Sequence, residues 1–183
     1  MHLRKTLMMT MVTALLAVFA LTASAAQFSG PTLLTNAGQS PDTAMARVLL
    51  NQTAANAELN DLATTANLNG KKSLVIVIGA SSKGLGAAGI NLNDEVARVT
   101  SLATAARQAG IKIIAMHLGG SQRRGQSSDK LIETVVPLAD AVIVVESGNA
   151  DGIFNKNLRS GAAFYSVDKI ANAAAPLKEL FNN

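Results

Sequence analysis

Three stretches of the chain are short, apolar and rich in β-branched residues, with no alternation of period two: Leu74–Ile78, Ile111–Met116 and Ala141–Val145. A strand with one face in water alternates apolar and polar positions. A continuous run marks a strand covered on both faces, as in a parallel sheet between layers of helix. Thr32–Thr35 predicts a shorter strand of the same kind, and Phe164–Val167 a weaker last one.

Helical patterns with defined ends fill the intervals. Ser40-Pro41-Asp42 offers an N-cap, a proline for the first turn and an early acid, and opens a helix to about Asn56. Asn91 with Asp94 and Glu95 opens a second helix, which Gly110 closes in the left-handed region. Ser127-Ser128-Asp129 starts a third that ends near Pro137, and Asp168 caps a last one running towards Phe181. Alternation of strand and helix predicts an α/β protein with a single open, doubly wound parallel sheet. Ala57–Lys72 is ambiguous: it reads as an edge strand near Ala57–Asn60 with one short helical turn. With that strand counted, the expected order is the flavodoxin-like 2-1-3-4-5 of a Rossmann-like three-layer sandwich, with right-handed crossovers. No repeat or low-complexity linker divides the chain, so residues 26–183 form one domain.

The N-terminus follows a different rule. Arg4 and Lys5 precede an apolar stretch, Leu7–Leu21, and Ala23-Ser24-Ala25 supplies a small-residue cleavage pattern. This predicts a signal peptide over residues 1–25, with Ala26 as the new N-terminus. The apolar run is about 15 residues long, whereas spanning a bilayer takes roughly 20. No later segment is long and apolar enough to insert stably. The expected location is therefore periplasmic or secreted, and the absence of cysteine favours a bacterial periplasm over a disulfide-stapled secreted domain. Two of the 16 basic residues leave with the signal, so 14 face 12 acids. That small surplus, without an aromatic-rich basic stretch, gives no sign of a nucleic-acid partner.

In open α/β sheets, ligands bind beyond the carboxyl ends of the strands, where strand order reverses. The segments at those ends are long and rich in glycine and serine: Asn36–Ser40, Gly79–Gly89, His117–Ser128 and Glu146–Gly152. The opposite ends carry only short turns such as Asn69–Lys72 and Ala109-Gly110. Glycines admit close approach of a ligand to the backbone, helix N-termini favour anions, and arginine suits carboxylate or phosphate. The expected site places Gly79, Ser81, Ser82, Lys83, Gly84 and Gly86 around an anion, with Ser40 beside them at the switch point. Arg123 and Arg124 close from the next loop, His117 stands at the end of its strand, and Asn149 and Asp151 bound the far side. The expected function is binding of a small anionic molecule, as an accessory to transport or sensing. No particular cofactor is indicated, and a protein partner is the other option.

Two resemblances bear on this. Leu33–Asp42, Gly79–Ile90, His117–Gly125 and Glu146–Phe154 resemble a family of small exported bacterial proteins, a domain of unknown function, from the first strand to the C-terminus. The resemblance implies no activity, but it implies that the loops rather than the helices define the group. Separately, Gly79-Ala80-Ser81-Ser82-Lys83-Gly84-Leu85-Gly86 is similar to the phosphate loop of short-chain dehydrogenases, with one residue too many between the first two glycines. Tyr165 and Lys169 resemble that family's Tyr-x-x-x-Lys pair. That similarity implies an NADP-linked reductase in which Arg123 and Arg124 take a 2′-phosphate. It sits awkwardly with Tyr165 in a predicted strand and with a location poor in nicotinamide cofactor.

A serine hydrolase is a further alternative, with Ser81 or Ser82 as nucleophile, His117 as base and Asp151 as orienter. The chain lacks the Gly-x-Ser-x-Gly elbow of α/β-hydrolases. A metal site is not expected, because the chain has no cysteine, a single histidine beyond the signal and no acidic cluster at ligand spacing. A flavin would find only Phe154, Phe164 and Tyr165 near the rim.

Overall fold

A computed structural model describes residues 28–181; the signal peptide read at residues 1–25 lies outside the described residues. Six parallel strands form one sheet: β1 (Thr32–Ala37), β2 (Ala57–Leu59), β3 (Ser73–Ile78), β4 (Lys112–His117), β5 (Ala141–Val145) and β6 (Ala163–Val167). Their order is β2-β1-β3-β4-β5-β6, the expected flavodoxin-like order with β6 added at the far edge. The ambiguous Ala57 segment is the edge strand β2, pairing Ala57 with Thr32 and Leu59 with Leu34.

Successive side chains of a strand point to opposite faces, and the core divides accordingly. Leu74, Ile76, Ile78, Ile113, Ala115, Val142 and Val144 pack on one face against α3 (Leu92–Gln108), α4 (Gln126–Val135) and Phe154 of α5 (Ile153–Asn157). Val75, Val77, Ile114, Met116, Ala141 and Ile143 pack on the other against α1 (Asp42–Leu50) and α6 (Ala174–Leu180). The sheet is thus the middle of three layers. Among the described residues no helix is long and apolar enough to cross a membrane.

Several boundaries shift for local reasons. β1 continues through the buried residues Asn36 and Ala37, two beyond the expected end at Thr35. α1 stops at Leu50, where the Thr53 hydroxyl donates to the Leu50 carbonyl at 2.8 Å and takes over an end of the helix ladder. α3 keeps its expected cap: the Asn91 side chain accepts from the Asn93 and Asp94 amides at 2.8 and 3.0 Å. α4 begins at Gln126, because the Ser128 hydroxyl is engaged elsewhere, as the acceptor for the Ala80 amide at 2.9 Å. Asp168 accepts from the Asn172 side chain rather than capping a helix, and a 3-10 turn, Ile170–Ala173, precedes α6. Pro176 lacks an N–H and suits only a first turn, which fixes the late start of α6. The loop after β3 folds into one short helix, α2 (Ser82–Ala87), which the glycine spacing conceals.

Candidate functional site

The loops after β1 and β3 are fastened to each other. The Gly79 amide donates to the Ala37 carbonyl at 2.9 Å, the Ser81 amide donates to the Gly38 carbonyl at 2.8 Å, and Gln39 forms an isolated bridge with Ala80. Two glycines permit this. Gly38 has φ +110°, and a Cβ on it would lie 2.4 Å from the Gly79 oxygen; one on Gly84 would lie 2.0 Å from the Gln39 oxygen. The glycines therefore serve first to let two loops meet, and Gln39 itself accepts a left-handed φ of 58°.

A buried ion pair holds this junction from below. Glu95 of α3 is fully buried, and its Oε1 accepts from the Gly38 amide at 2.8 Å, the Gln39 side-chain amide at 3.0 Å and Arg98 Nη2 at 2.9 Å. Its Oε2 accepts from Arg98 Nε at 2.8 Å. Arg98 in turn donates to the Ala63 and Asn36 carbonyls, at 2.8 and 2.6 Å. Burial pushes the Glu95 carboxyl up, but the donors from Arg98, Gly38 and Gln39 outweigh it and hold the carboxyl below its ordinary value.

Above the junction lies an open crevice of about 590 Å³, at the carboxyl ends of β1, β2 and β3. This is the point where strand order reverses. Asn36, Gln39, Ser40 and Thr43 line it from the β1 side, Leu59 and Asp61 from β2, Ser81, Lys83 and Gly84 from β3, and Arg123 from the loop after β4. Of the residues expected at a site, Ser40, Ser81, Lys83, Gly84 and Arg123 are thus brought together. The Ser81 hydroxyl is occupied as the cap of α2, accepting from the Gly84 amide at 3.1 Å. Gly79 lies under the wall, where a Cβ would meet Ser40 Oγ at 3.2 Å. Ser82 is exposed outside the crevice, and Gly86 faces open space.

Four expected residues are elsewhere, each committed to the fold. His117 is fully buried, with Nδ1 2.9 Å from the Ile78 carbonyl and Nε2 3.0 Å from that of Gly120. Burial holds its imidazole below the ordinary value, against the two carbonyls, which favour the charged form. Arg124 donates to Asp129 at 2.7 Å, Asp151 at 2.8 Å and the Gly148 carbonyl at 2.6 Å. That pairing holds the Asp151 carboxyl far below the usual carboxylate range. The Asn149 side chain accepts from the Phe154 amide at 3.1 Å and donates to Asn155 at 2.6 Å. Arg124 and Asp151 therefore staple the β4 and β5 loops, and Asn149 braces the start of α5.

The same commitments bear on the alternatives. Ser81, His117 and Asp151 each bond to a different partner and are not assembled into a triad. Tyr165 lies on β6, three strands from the β3 loop. Its hydroxyl donates to Glu179 at 3.0 Å, and burial, with Glu179 beside it, pushes its pKa up to about 12.

Sequence reasoning missed Asn36, Thr43 and Asp61, and the buttress beneath them. The Thr43 hydroxyl donates to Asn36 Oδ1, and Asn36 Nδ2 donates to Asp61 Oδ1 at 2.6 Å. One signal was available for Glu95: it falls on the stripe that buries Val99, Leu102, Ala103 and Ala106, where an acid is out of place unless paired.

Neither the curated proteins nor the solved structures supply a match to this chain. A family model described as Domain of unknown function (DUF6305) matches residues 29–181, so the chain, with its fastened loops and crevice at the strand reversal, belongs to that family.

Proposed function

We propose that this is an exported, periplasmic or secreted binding protein whose crevice at the strand reversal takes the anionic group of a small phosphate- or carboxylate-bearing ligand, as an accessory to transport or sensing. The observation that carries this reading is the convergence of Lys83 and Arg123, from two different loops, on one crevice. Its volume is that of small-molecule sites, which run from roughly 300 to 1,000 Å³. Arg123 pairs with Asp42, Nε lying 3.5 Å from the carboxylate, while among the described residues Lys83 takes part in no ion pair. Arg124 and His117 are no part of this reading, and the ligand is correspondingly less anionic than a polyphosphate.

Isothermal calorimetry against inorganic phosphate, succinate and short peptides tests it. A binder is expected, and Lys83→Ala should weaken it about tenfold, the worth of one charge-assisted contact. If no probe binds while a protein partner co-purifies stoichiometrically from periplasmic extract, the small-ligand reading fails. N-terminal sequencing of the purified protein should begin at Ala26; an intact Met1 would remove the export.

A further inference from the structure

Charge is distributed unevenly across the crevice. Asp61 follows β2 on one side of β1, while Lys83 follows β3 on the other, with Arg123 one strand further on. Neighbouring strands are about 4.8 Å apart, so the β2 and β3 ends are separated by roughly 10 Å. Asp61 is exposed, but both its carboxylate and its main chain are tethered. Its Oδ1 accepts from the Asn36 amide, whose orientation the Thr43 hydroxyl fixes from behind. Its main-chain carbonyl accepts from Gln39 Nε2 at 3.0 Å and Thr35 Oγ1 at 3.3 Å. Asn36 and Thr43 are 4% and 2% exposed, so two buried polar side chains tether one carboxylate that lines the crevice. Among the described residues no base pairs with it.

Resting on the reading of the crevice as the ligand site, we infer that its ligand is a small linear zwitterion, with an amine met by Asp61 and a carboxylate met by Lys83. A purely anionic ligand leaves the Asp61 carboxylate facing a like charge, which is unfavourable at short range. An α-amino acid is short against the roughly 10 Å between the β2 and β3 ends from which the Asp61 and Lys83 loops leave. An extended chain advances about 3.4 Å per residue, so a tripeptide matches that spacing of the strand ends. Leu59 and Ala44 also line the crevice and would receive small aliphatic side chains.

The test uses trialanine, N-acetyl-trialanine and trialanine amide as calorimetric probes, with the wild-type protein, Asp61→Asn and Lys83→Met. Asn at position 61 keeps an oxygen for the Asn36 amide, so the fold is preserved. Trialanine should bind the wild type, and each blocked peptide should bind about tenfold more weakly. Asp61→Asn should erase the difference between trialanine and its acetylated form, and Lys83→Met the difference between trialanine and its amide. If trialanine and N-acetyl-trialanine bind equally well and Lys83→Met weakens both, the anion reading stands and the zwitterion is overturned. If phosphate binds and no peptide does, the zwitterion is overturned in the same way. If neither the peptides nor phosphate bind, both readings fall together.

Discussion

Replacing Glu95 by alanine should cost about 3 to 5 kcal/mol of stability, the usual consequence of stripping one partner from a buried ion pair. Thermal unfolding should then shift down by roughly 10 °C, since a domain of this size loses about 2 to 4 °C per kcal/mol. The loss is large because Glu95 is the common acceptor of the Gly38 amide, the Gln39 side chain and two nitrogens of Arg98. Without it the guanidinium, 13% exposed, is left buried and uncompensated. A double replacement of Glu95 and Arg98 by methionine should recover part of the loss, with the Ala63 and Asn36 carbonyls still orphaned. The pair also sets an acid limit. The carboxyl is held below its ordinary 4.5 in the folded state, so protonation favours the unfolded chain. The stability it supplies is complete above pH 4.5 or so and drains away as the pH falls further. Urea melts between pH 3 and 7 should show this slope in the wild type and a flatter one in Glu95→Gln. Parallel slopes would mean that the carboxylate contributes nothing through its charge.

Gly38→Ala should destabilise by about 2 to 5 kcal/mol, combining backbone strain with overpacking against a neighbouring chain segment. The new methyl would stand 2.4 Å from the Gly79 oxygen and 2.7 Å from the Ala80 backbone, at a φ of +110°. No side chain can swing aside, because the obstacle is main chain. Gly86→Ala is the control: its φ is ordinary, no atom lies within 4 Å, and it sits inside α2. It should stabilise by about 0.5 to 1 kcal/mol, as expected for removing a glycine from a helix. Equal effects of the two substitutions in chemical denaturation would mean that the β1 and β3 loops are not in contact.

The strands were legible because burial on both faces leaves continuous apolar runs, and Leu74–Ile78 and Ala141–Val145 needed little else. The end of β1 was not, since Asn36, just past the expected end at Thr35, is a polar residue buried in the fold, where an apolar run gives no sign of the strand. Lys83 and Arg123 could be read from their positions just after strands. Arg124, Asn149 and Asp151 share that position and His117 ends its strand, yet nothing in the order of residues tells whether a polar group is spent on a carbonyl, a carboxylate or a ligand. Asp61 lay in a segment without period, fixed by contacts to residues 25 or so positions away. Glu95 and Arg98 are three apart on a helix, the spacing of an ordinary solvent pair, and only tertiary packing made them a foundation.

The fastening of the two loops has a consequence in solvent exchange. The amides of Gly38, Gly79 and Ser81 donate within the junction, to Glu95, Ala37 and Gly38, and the Ala80 amide beside them donates to Ser128 of α4. Loop amides ordinarily trade their hydrogens with water through small local openings. Here release requires the buttress to give way, so deuterium should enter these positions at rates close to those of β1 and β3 beneath them, and much more slowly than at Gly125 or Gly161. By that clock, the rim that would meet a ligand belongs to the core.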